Sequence, residues 1–525
     1  MGIQAVPSSP VSEDGTGIDV DVEEAAVLVG DVSEAASPVV RGSAVDVVAT
    51  SVSGTDHLVA DVVVVGAGPA GAAAAITLAR AGRSVVLADK ARFPRDKICG
   101  DGLTTGALRL LEDLGVQPES VGSWMPVHDV HVSGPKGHTV TFPLPRDRGQ
   151  YAVVARRADL DHALVEQARA AGVTVVEEVS VSAIDDGPGH ITVTFVAAGT
   201  EPGPSTEPGR SEESDPSEGL DTSAQPGHEP GDGTDTANTA NTATTGNEGL
   251  VVEARYLVAA DGMWSPTRKL LGTTEPGYLG DWHAFRQYFT DVSPKAKDLW
   301  IWFEEDLVPG YVWVFPLPDG RANVGFGIQR GGKVATKEMK ALWPEILARP
   351  HVAEVLGPDA RPENRHQAWP IPARVNEMAL TSGRVLWVGD AAAATDPMTG
   401  EGIGQALFSG VLAAEATVAR APRVSGAGAP SPLVGSSPAE AAAVRAHYEQ
   451  AVARSLVPDH KMSALLVRAL KHRKGARAAI RVAGLTAWTR RNFARWLFED
   501  EPRAGLFTPR RWHRRFLTRD GAYRA

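Results

Sequence analysis

The feature that most constrains this chain is an apolar run that ends in three closely spaced glycines. Residues 61–71 have the sequence Asp-Val-Val-Val-Val-Gly-Ala-Gly-Pro-Ala-Gly, and Ala-rich sequence follows. The valines predict a buried strand, and the Ala-rich sequence predicts a helix. Gly66 would permit the tight turn, Gly68 the approach of a pyrophosphate to the backbone, and Gly71 close packing of the helix on the strand. This pattern predicts a dinucleotide-binding α/β unit.

A second apolar strand is predicted at residues 84–88, and it ends in Asp89, eighteen residues after Gly71. An acid at this place can accept hydrogen bonds from ribose hydroxyls. The free N–H groups at the start of the preceding helix suit the phosphates. A glycine-rich turn that only packs against a neighbour is the alternative. The order of strand, turn, helix, strand and acid favours dinucleotide binding.

Later segments favour FAD over NAD. Residues 255–262 predict a strand that ends at Asp261, and residues 383–390 predict one that ends at Asp390. Asp390 can hold the ribityl or pyrophosphate side of a long cofactor. A helix that begins near Gly402 would aim its N–H groups at the flavin carbonyl end and stabilise negative charge on a reduced flavin.

Length and composition exclude several other classes. A chain of 525 residues, 43% apolar, is expected to form two intimately packed domains. A single cysteine excludes a disulfide framework and any Cys-rich zinc or iron–sulfur site, and we expect no metal. A net charge of −12 argues against nucleic acid as a partner.

The acidic charge is concentrated in two polar segments. Residues 1–60 hold ten acidic residues against one Arg, and residues 201–250 hold eleven against one. Such sequence cannot bury enough apolar surface to offset its ordering entropy. We therefore predict a disordered tail over 1–57 and a disordered insert over 198–249, at the tip of a strand hairpin. A linker is predicted over 421–437.

The C-terminal end is basic. Residues 454–524 contain eighteen Lys or Arg and five Asp or Glu, together with Trp488, Trp496 and Trp512. We predict a helical segment over 438–525. It either contacts an anionic membrane surface or packs on the core of the protein as a helical face whose charge is solvated. We find no secretory signal and no transmembrane segment, and expect a cytoplasmic protein, with peripheral membrane contact as the hypothesis to test.

Three segments resemble one family. Residues 94–102, Pro-Arg-Asp-Lys-Ile-Cys-Gly-Asp-Gly, resemble its PRxKxCGxxL stretch. Residues 311–316, Tyr-Val-Trp-Val-Phe-Pro, with Gly-Phe-Gly at 325–327, resemble YxWxFPx8GxG. Residues 389–403 resemble its GD–P–GEG segment. The chain thus resembles the geranylgeranyl reductase family of FAD-dependent oxidoreductases. It is most similar to the actinobacterial type, which includes enzymes that reduce the isoprenoid tail of menaquinone.

This resemblance implies a two-domain α/β flavoprotein. A Rossmann-type FAD-binding domain would take 58–197 and 250–420. An antiparallel-sheet substrate domain, mainly 120–155 and 275–375, would interleave with it, and a helical C-terminal segment would follow. The implied reaction is reduction of C=C bonds of a geranylgeranyl group or menaquinone tail by hydride transfer from reduced flavin. The electron donor, NAD(P)H or a redox protein, stays open.

The resemblance also implies cofactor contacts. These are Gly66, Ala67, Gly68, Pro69, Ala70, Gly71, Asp89, Lys90, Cys99, Gly100, Asp101, Gly102, Arg157, Val179, Asp390, Gly402 and Ile403. Val179 would act through its backbone beside the adenine. Cys99 is the catalytic candidate, as a flavin contact or proton source, and a small buried hydrophobe is the alternative. A thiolate role would need a depressed pKa, which Lys97 and Arg95 could provide.

An aromatic strand is the candidate substrate site. A period of two places Tyr311, Trp313 and Phe315 on one face, and Trp300 and Trp302 share a face of the preceding strand. These residues form either an ordinary sheet core or an aromatic wall for a long apolar substrate.

Three other functions stay open at this point. An FAD-dependent aromatic monooxygenase would share the fold. A flavin halogenase would place its WxWxIP stretch at 311–316, but Tyr311 and Phe315 depart from that pattern. A non-catalytic FAD-binding protein is the third.

Overall fold

The strands of the described residues form three sheets, and the glycine-rich turn follows a strand of the largest. The computed structural model describes residues 48–52, 55–199, 249–421, 436–498, 502–505, 508–512 and 518–524. The strands of the largest sheet are β1 (Val48–Val52), β2 (Thr55–Val65), β3 (Val85–Ala88), β9 (Thr174–Val176), β10 (Val179–Asp186), β11 (Ile191–Ala197), β12 (Leu250–Ala259), β19 (Thr381–Ser382) and β20 (Val385–Trp387).

The core of this sheet is parallel. Strands β9, β3, β2, β12 and β20 lie side by side in that order and point the same way. Val62, Val63 and Val64 of β2 are fully buried, as the apolar run predicts. The carboxyl ends of these strands therefore meet at one edge, where ligands bind in open α/β sheets.

The described residues contain ten α-helices, which pack on the sheets. They are α1 (Pro69–Arg80), α2 (Thr105–Asp113), α3 (Arg157–Ala170), α4 (Pro266–Leu270), α5 (Met339–Leu347), α6 (Pro350–Leu356), α7 (Ile403–Arg420), α8 (Pro438–Leu470), α9 (Arg473–Gly484) and α10 (Ala487–Leu497). Small residues bring α1 and α7 to backbone contact, since a Cβ at Gly410 would lie 2.1 Å from the carbonyl oxygen of Ala70. The two predicted helices after Gly68 and Gly402 thus pack as one layer.

A second sheet carries the aromatic strand. Its members are β6 (Asp129–Ser133), β7 (Thr139–Pro143), β13 (Trp282–Thr290), β14 (Leu299–Trp302), β15 (Tyr311–Leu317), β16 (Arg321–Gln329), β17 (Arg361–Pro362) and β18 (Gln367–Ile371). The predicted antiparallel pairing is found throughout except between β6 and β14, which run parallel. These two strands come from distant segments, so no hairpin turn sets their relative direction. A small antiparallel sheet contains β4 (Gly102–Thr104), β5 (Met125–Pro126) and β8 (Ala152–Val154).

The strands that flank the predicted insert form the predicted hairpin. β11 pairs antiparallel with β12, from Ile191 opposite Ala254 to Phe195 opposite Leu250. Residues 200–248 lie outside the described residues, as do 1–47 of the predicted tail and 422–435 of the predicted linker. Residues 48–52 and 55–57, which the prediction assigned to the tail, are instead in β1 and the start of β2, which pair with each other. The domain boundaries stay a prediction.

The C-terminal segment is helical, as predicted, and it packs on the second sheet. Ile480 and Ala483 of α9 and Ala494 of α10 share an apolar cluster with Val140 and Phe142 of β7. In the part of the chain that the structure describes, no helix combines the length and apolar character that a bilayer crossing requires. We call α9 and α10 the C-terminal hairpin.

Candidate active site

A cavity of about 1050 Å³ joins the carboxyl edge of the parallel strands to the second sheet and the C-terminal helices. This volume lies at the upper end of the range of about 300–1,000 Å³ that a small-molecule site usually encloses. The cavity is lined by these predicted residues: Gly66, Gly68, Pro69, Ala70, Asp89, Lys90, Cys99, Gly100, Asp101, Gly102, Arg157, Val179, Tyr311, Trp313, Phe315, Asp390, Gly402 and Ile403. Ala67 and Gly71 lie behind this lining.

Two glycines of the turn after β2 cannot carry a side chain. Gly66 has a φ of +100°, and a Cβ there would lie 2.3 Å from the carbonyl oxygen of Ala260. A Cβ at Gly71 would lie 1.8 Å from the carbonyl oxygen of Gly66. The first glycine therefore serves the turn and the third serves helix packing, as the spacing predicts.

Asp89 fixes this turn from the neighbouring strand. Its Oδ2 accepts a hydrogen bond from the N–H of Ala67 at 2.6 Å, and its Oδ1 accepts one from the N–H of Ala91 at 2.8 Å. An ionised carboxylate has about four acceptor directions, so acceptor capacity is left for a ribose. The N–H of Val179, predicted to act through its backbone, donates to the carbonyl oxygen of Asp89 at 3.0 Å.

Two arginines face Gly68. A Cβ at Gly68 would have Nη2 of Arg157 and Nη2 of Arg95 as its nearest neighbours, each at 3.8 Å. The buried carboxylate of Asp161 holds both guanidinium groups, accepting from Nε of Arg157 at 2.8 Å and from Nη1 of Arg95 at 2.7 Å. Burial opposes the charge of Arg157, but Asp161 outweighs it and raises the pKa of Arg157 above its usual value.

This arrangement fits a diphosphate. The space at Gly68 is open, and two cations border it beside the start of α1. The sequence prediction missed Asp161 and did not assign Arg95 as a contact. The signal for Asp161 was its spacing of four residues from Arg157, which places both on one face of α3.

The start of α7 also lines the cavity. Gly402 caps the helix and Ile403 begins it, and Oε1 of Glu401 accepts a hydrogen bond from the N–H of Gly404 at 2.5 Å. This carboxylate occupies one N–H group that the sequence prediction aimed at the flavin. Asp390 also lines the cavity and accepts a hydrogen bond from Oγ1 of Thr395 at 3.4 Å.

Lys97 also lines the cavity, although it was not among the predicted cofactor contacts. Its ammonium group lies 3.4 Å from the ring centroid of Trp369, and both residues line the cavity. Burial lowers the pKa of Lys97 to about 8, although the charge of Asp390 opposes this shift. A lysine of this kind changes its protonation close to neutral pH.

The loop of residues 99–102 packs directly on the aromatic strand. A Cβ at Gly100 would lie 3.5 Å from the ring of Phe315, and one at Gly102 would lie 3.3 Å from it. Burial raises the pKa of the Cys99 thiol, so the thiol stays protonated at neutral pH. The suggestion that Lys97 and Arg95 could depress the pKa of the Cys99 thiol is therefore wrong. A role for Cys99 as flavin contact or proton source stays a prediction.

A buried hydrogen-bond network joins this loop to the second sheet. Nε1–H of Trp313 donates to Oδ1 of Asn323 at 3.0 Å, and Nδ2–H of Asn323 donates to the carbonyl oxygen of Cys99 and to Oδ2 of Asp101, each at 2.8 Å. The hydroxyl of Tyr288 also donates to Oδ2 of Asp101, at 2.6 Å. Burial raises the pKa of Asp101 to about 6, although these donors oppose the shift.

The sequence analysis missed Asn323 and Tyr288. Asn323 is fully buried in the apolar strand β16. A lone amide in such a strand signals a partner elsewhere, because buried polar groups are almost always hydrogen-bonded. The sequence does not say which partner that is.

Tyr311, Trp313 and Phe315 lie on one face of β15, as predicted. Successive ring centroids are 5.9 Å and 6.0 Å apart. The cavity wall is extended by Leu299, Ile301 and Phe303. Trp300 and Trp302 stack on each other, but on the opposite face of the sheet, since the register sets Trp300 beside Val314 and Ile301 beside Trp313. Those two tryptophans therefore do not belong to the wall.

The helices from α8 onward complete the cavity. Their lining residues are Leu466, Ala469, Leu470, Gly475, Ala479, Ile480, Phe493, Trp496, Leu497 and, after α10, Phe498. A buried ion pair ties this region to the cofactor side, since Nη1 of Arg503 lies 2.5 Å from Oδ2 of Asp396, just before the start of α7. The sequence predicted either membrane contact or packing of this segment on the core with its charge facing water. That its inner face also lines the cavity was not predicted.

Comparisons with known proteins agree with this site. Residues 59–205 and 225–411 match the family described as FAD binding domain. A menaquinone reductase from Mycolicibacterium smegmatis is 32% identical over 379 residues, which cover 68% of this chain and 76% of that protein. A digeranylgeranylglycerophospholipid reductase from Methanopyrus kandleri is 28% identical over 366 residues, which cover 68% of this chain and 80% of that protein.

The fold has relatives among solved structures. A geranylgeranyl bacteriochlorophyll reductase-like protein from Thermoplasma acidophilum superposes with a TM-score of 0.61 at 18% identity, covering 87% of this chain and all of that chain. Flavin-dependent halogenases and a monooxygenase share the fold as well. The family match covers more than half of the chain, and the mycolicibacterial relative is matched over most of its length. The chain belongs to the FAD-binding geranylgeranyl reductase family of oxidoreductases, which includes the menaquinone reductases.

Proposed function

We propose that this flavoprotein reduces carbon–carbon double bonds in the isoprenoid chain of a lipid, such as a menaquinone tail or a geranylgeranyl group. The observation that carries the proposal is the apolar wall of the cavity, which touches the 99–102 loop through Phe315. The names of the menaquinone and digeranylgeranylglycerophospholipid reductases support the same substrate class.

The polar side of the cavity would hold the cofactor. Arg157 and Arg95 would bind the diphosphate of FAD, and Asp89 would accept from its ribose. When bound and reduced, FAD supplies the hydride. The 99–102 loop, fixed by Asn323 and packed on Phe315, would set the distance between the cofactor and the substrate wall.

The apolar side would hold the substrate. An isoprenoid chain has no polar group to recognise, so shape and buried area must position it. Burial contributes about 0.8 kcal/mol per CH₂ group, and the wall of aromatic and aliphatic side chains from β14, β15, α9 and α10 offers that area. The same apolar wall excludes water from the carbon atoms that react.

Reduction of an alkene also needs a proton at the second carbon. The Sγ–H of Cys99 is our candidate donor, because burial keeps this thiol protonated at neutral pH. A Cys99→Ser variant is expected to keep FAD and to slow the reduction.

A monooxygenase or a halogenase is the competing function, since enzymes of both kinds share the fold. The decisive assay is anaerobic reduction of the purified protein with menaquinones and prenyl diphosphates, followed by mass spectrometry. We expect product masses to increase by two mass units per reduced bond. Product that forms only with oxygen would reject the proposal and select the competing function. NADH, NADPH and a reduced redox protein, supplied in turn, would identify the electron donor.

A lipid-borne substrate requires the enzyme to reach a membrane. We therefore include peripheral contact with the cytoplasmic membrane in the proposal. The basic C-terminal segment is the part of the chain whose charge suits such contact.

A further inference from the structure

We propose that the C-terminal hairpin and the end of α8 form a docking surface for an anionic lipid bilayer, and that the isoprenoid chain enters the cavity beside this surface. The inference rests on the proposed function for the identity of the chain that enters. The docking surface itself is argued from charge, exposure and its position at the cavity.

The charge of this region has one sign. Residues 460–498 contain ten Lys or Arg and no Asp or Glu. Six of these cations have exposed side chains: Lys461, Arg468, Lys471, Lys474, Arg481 and Arg491. Each basic residue near an anionic bilayer surface adds electrostatic attraction, so this surface suits anionic headgroups.

Large apolar side chains are exposed among these cations. The four most exposed large apolar side chains of the described residues are Leu485 at 71%, Trp488 at 65%, and Leu465 and Val482 at 59% each. Val482, Leu485 and Trp488 surround the turn between α9 and α10. Tryptophan is enriched at membrane interfaces, and exposed apolar groups ringed by charge mark interaction sites. The tip of the hairpin can therefore insert between headgroups.

The same helices reach the cavity from their other side. Ile480, Phe493 and Leu497 line it, and so do Ala469 and Ala479, whose side chains are exposed to solvent. A residue that both lines the cavity and contacts solvent marks a place where the cavity reaches the surface. Ala469 at the end of α8 and Ala479 on α9 are such residues, and they lie next to the exposed cations and apolar residues in the sequence.

A bilayer explains this combination better than an acidic protein partner. Acidic partners need cations, but they do not explain apolar side chains at a hairpin tip beside an opening lined by alanine, isoleucine and phenylalanine. A lipid whose head stays at the interface could pass its chain through the opening without crossing water.

The test uses the full-length, FAD-loaded protein and sedimentation with vesicles. We expect binding to phosphatidylcholine vesicles that contain phosphatidylglycerol, release by salt, and little binding to phosphatidylcholine alone. The double variants Leu485→Ser with Trp488→Ser, and Lys474→Glu with Arg481→Glu, should each weaken binding at least about tenfold. Matched controls at exposed positions elsewhere, Leu279→Ser and Lys337→Glu, should bind like the wild type.

A second measurement separates docking from catalysis. None of the four altered hairpin residues lines the cavity, so both double variants should reduce a detergent-dispersed substrate at the wild-type rate and lose activity on the same substrate in vesicles. An Ala479→Phe variant, which narrows the opening, should bind vesicles normally and lose activity on long chains.

Each outcome has one meaning. Vesicle binding that the hairpin variants do not weaken, or that is equal for neutral and anionic vesicles, overturns the docking surface. Equal loss of activity in detergent and in vesicles for the two double variants overturns the link between docking and substrate supply, and full activity of Ala479→Phe on long chains overturns the entry path. If the wild type reduces no isoprenoid in detergent but binds anionic vesicles through the hairpin, the proposed function fails and the docking surface stands.

Discussion

The cavity has two ends that are built on different physical principles. The cofactor end depends on backbone contacts of fixed geometry, such as the 1.8 Å that separates a hypothetical Cβ at Gly71 from the carbonyl oxygen of Gly66. The substrate end depends on apolar area supplied by β14, β15 and the helices from α8 onward. The family match covers the first end together with β14 and β15, and it stops at residue 411, before those helices. We therefore expect single substitutions at the cofactor end to abolish or strongly weaken FAD binding, and single substitutions at the substrate end to weaken substrate binding by degrees.

The largest effect should come from Gly68→Val at the cofactor end. A side chain there would fill the space between Arg157 and Arg95 that the diphosphate needs, while its Cβ would touch only the flexible ends of these side chains at 3.8 Å. The protein should therefore fold and purify without visible flavin absorbance. Gly122→Val, at an exposed glycine that does not line the cavity and whose added Cβ would have only the carboxyl carbon of Asp159 within 4.0 Å, is the control and should keep its FAD. Retention of FAD by Gly68→Val would contradict our assignment of the turn.

Removal of Arg157 should affect both stability and FAD affinity. Asp161 is fully buried and would keep only Arg95, and breaking a buried ion pair costs about 3–5 kcal/mol. Denaturant titration of Arg157→Ala should show a loss in this range, with weaker flavin binding. Arg169→Ala on the same helix removes only surface ion pairs and should cost less than about 1 kcal/mol. Equal losses for the two variants would mean that the pair is not buried as described.

Asp101→Asn should change how stability depends on pH. The pKa of Asp101 is about 6 in the folded protein against 3.8 for the ordinary group. The unfolded chain loses this proton first, so stability falls as the pH rises from about 4 to 6, and the loss persists above that range. The amide oxygen can still accept from Tyr288 and Asn323. The variant should therefore lack this step and be more stable above pH 6 by up to about 3 kcal/mol.

The urea midpoints of the wild type and of Asp101→Asn, measured in FAD-free protein from pH 4 to 8, test this pH dependence. Unchanged pH dependence in Asp101→Asn would show that another group titrates in that range.

A change at the substrate end should leave the cofactor in place. Phe493→Ala removes part of the apolar wall, and we expect KM for a long isoprenoid to rise about tenfold, which corresponds to about 1.4 kcal/mol. The flavin content should not change. Trp300→Ala, on the opposite face of the sheet, is the matched control and should leave KM unaltered. A loss of FAD in Phe493→Ala would contradict the separation of the two ends.

The smallest effect on the site itself should follow deletion of residues 200–248. The flanking strands pair up to Phe195 and Leu250, so residues 196–199 and Gly249 remain as a short hairpin connection. Because the closure cost of a loop grows only logarithmically with its length, the free energy of unfolding should change by no more than about 2 kcal/mol. FAD content should be unchanged. A deletion variant that is insoluble or colourless would show that the insert stabilises one of the two ends.

The cofactor end could be predicted because its determinants are local. Gly66, Gly68, Gly71 and Asp89 lie within twenty-four residues, and the order of strand, turn, helix and strand limits how they fold. Asp390 and Gly402 could be added because each ends or begins an element whose apolar pattern is clear. The partner strands β11 and β12 were predictable too, since apolar, β-branched sequence lies on either side of the insert.

The substrate end depended on tertiary structure. Which face of β14 lines the cavity is decided by its register with β15, and a shift of one residue would have brought in Trp300 instead of Ile301. Asn323 meets Cys99 and Asp101 over more than 220 residues of sequence, so no local pattern could pair them.

The sequence by itself determined the glycine turn, the parallel strands around it, the FAD family and the basic character of the C-terminal helices, because these follow from short-range patterns and composition. Tertiary structure alone decided that the same helices close the cavity with Ile480, Phe493 and Leu497 on their inner face. The physical reason is that an amphipathic helix specifies an apolar face but not the surface it covers, and that surface is supplied here by strands more than 150 residues earlier in the chain.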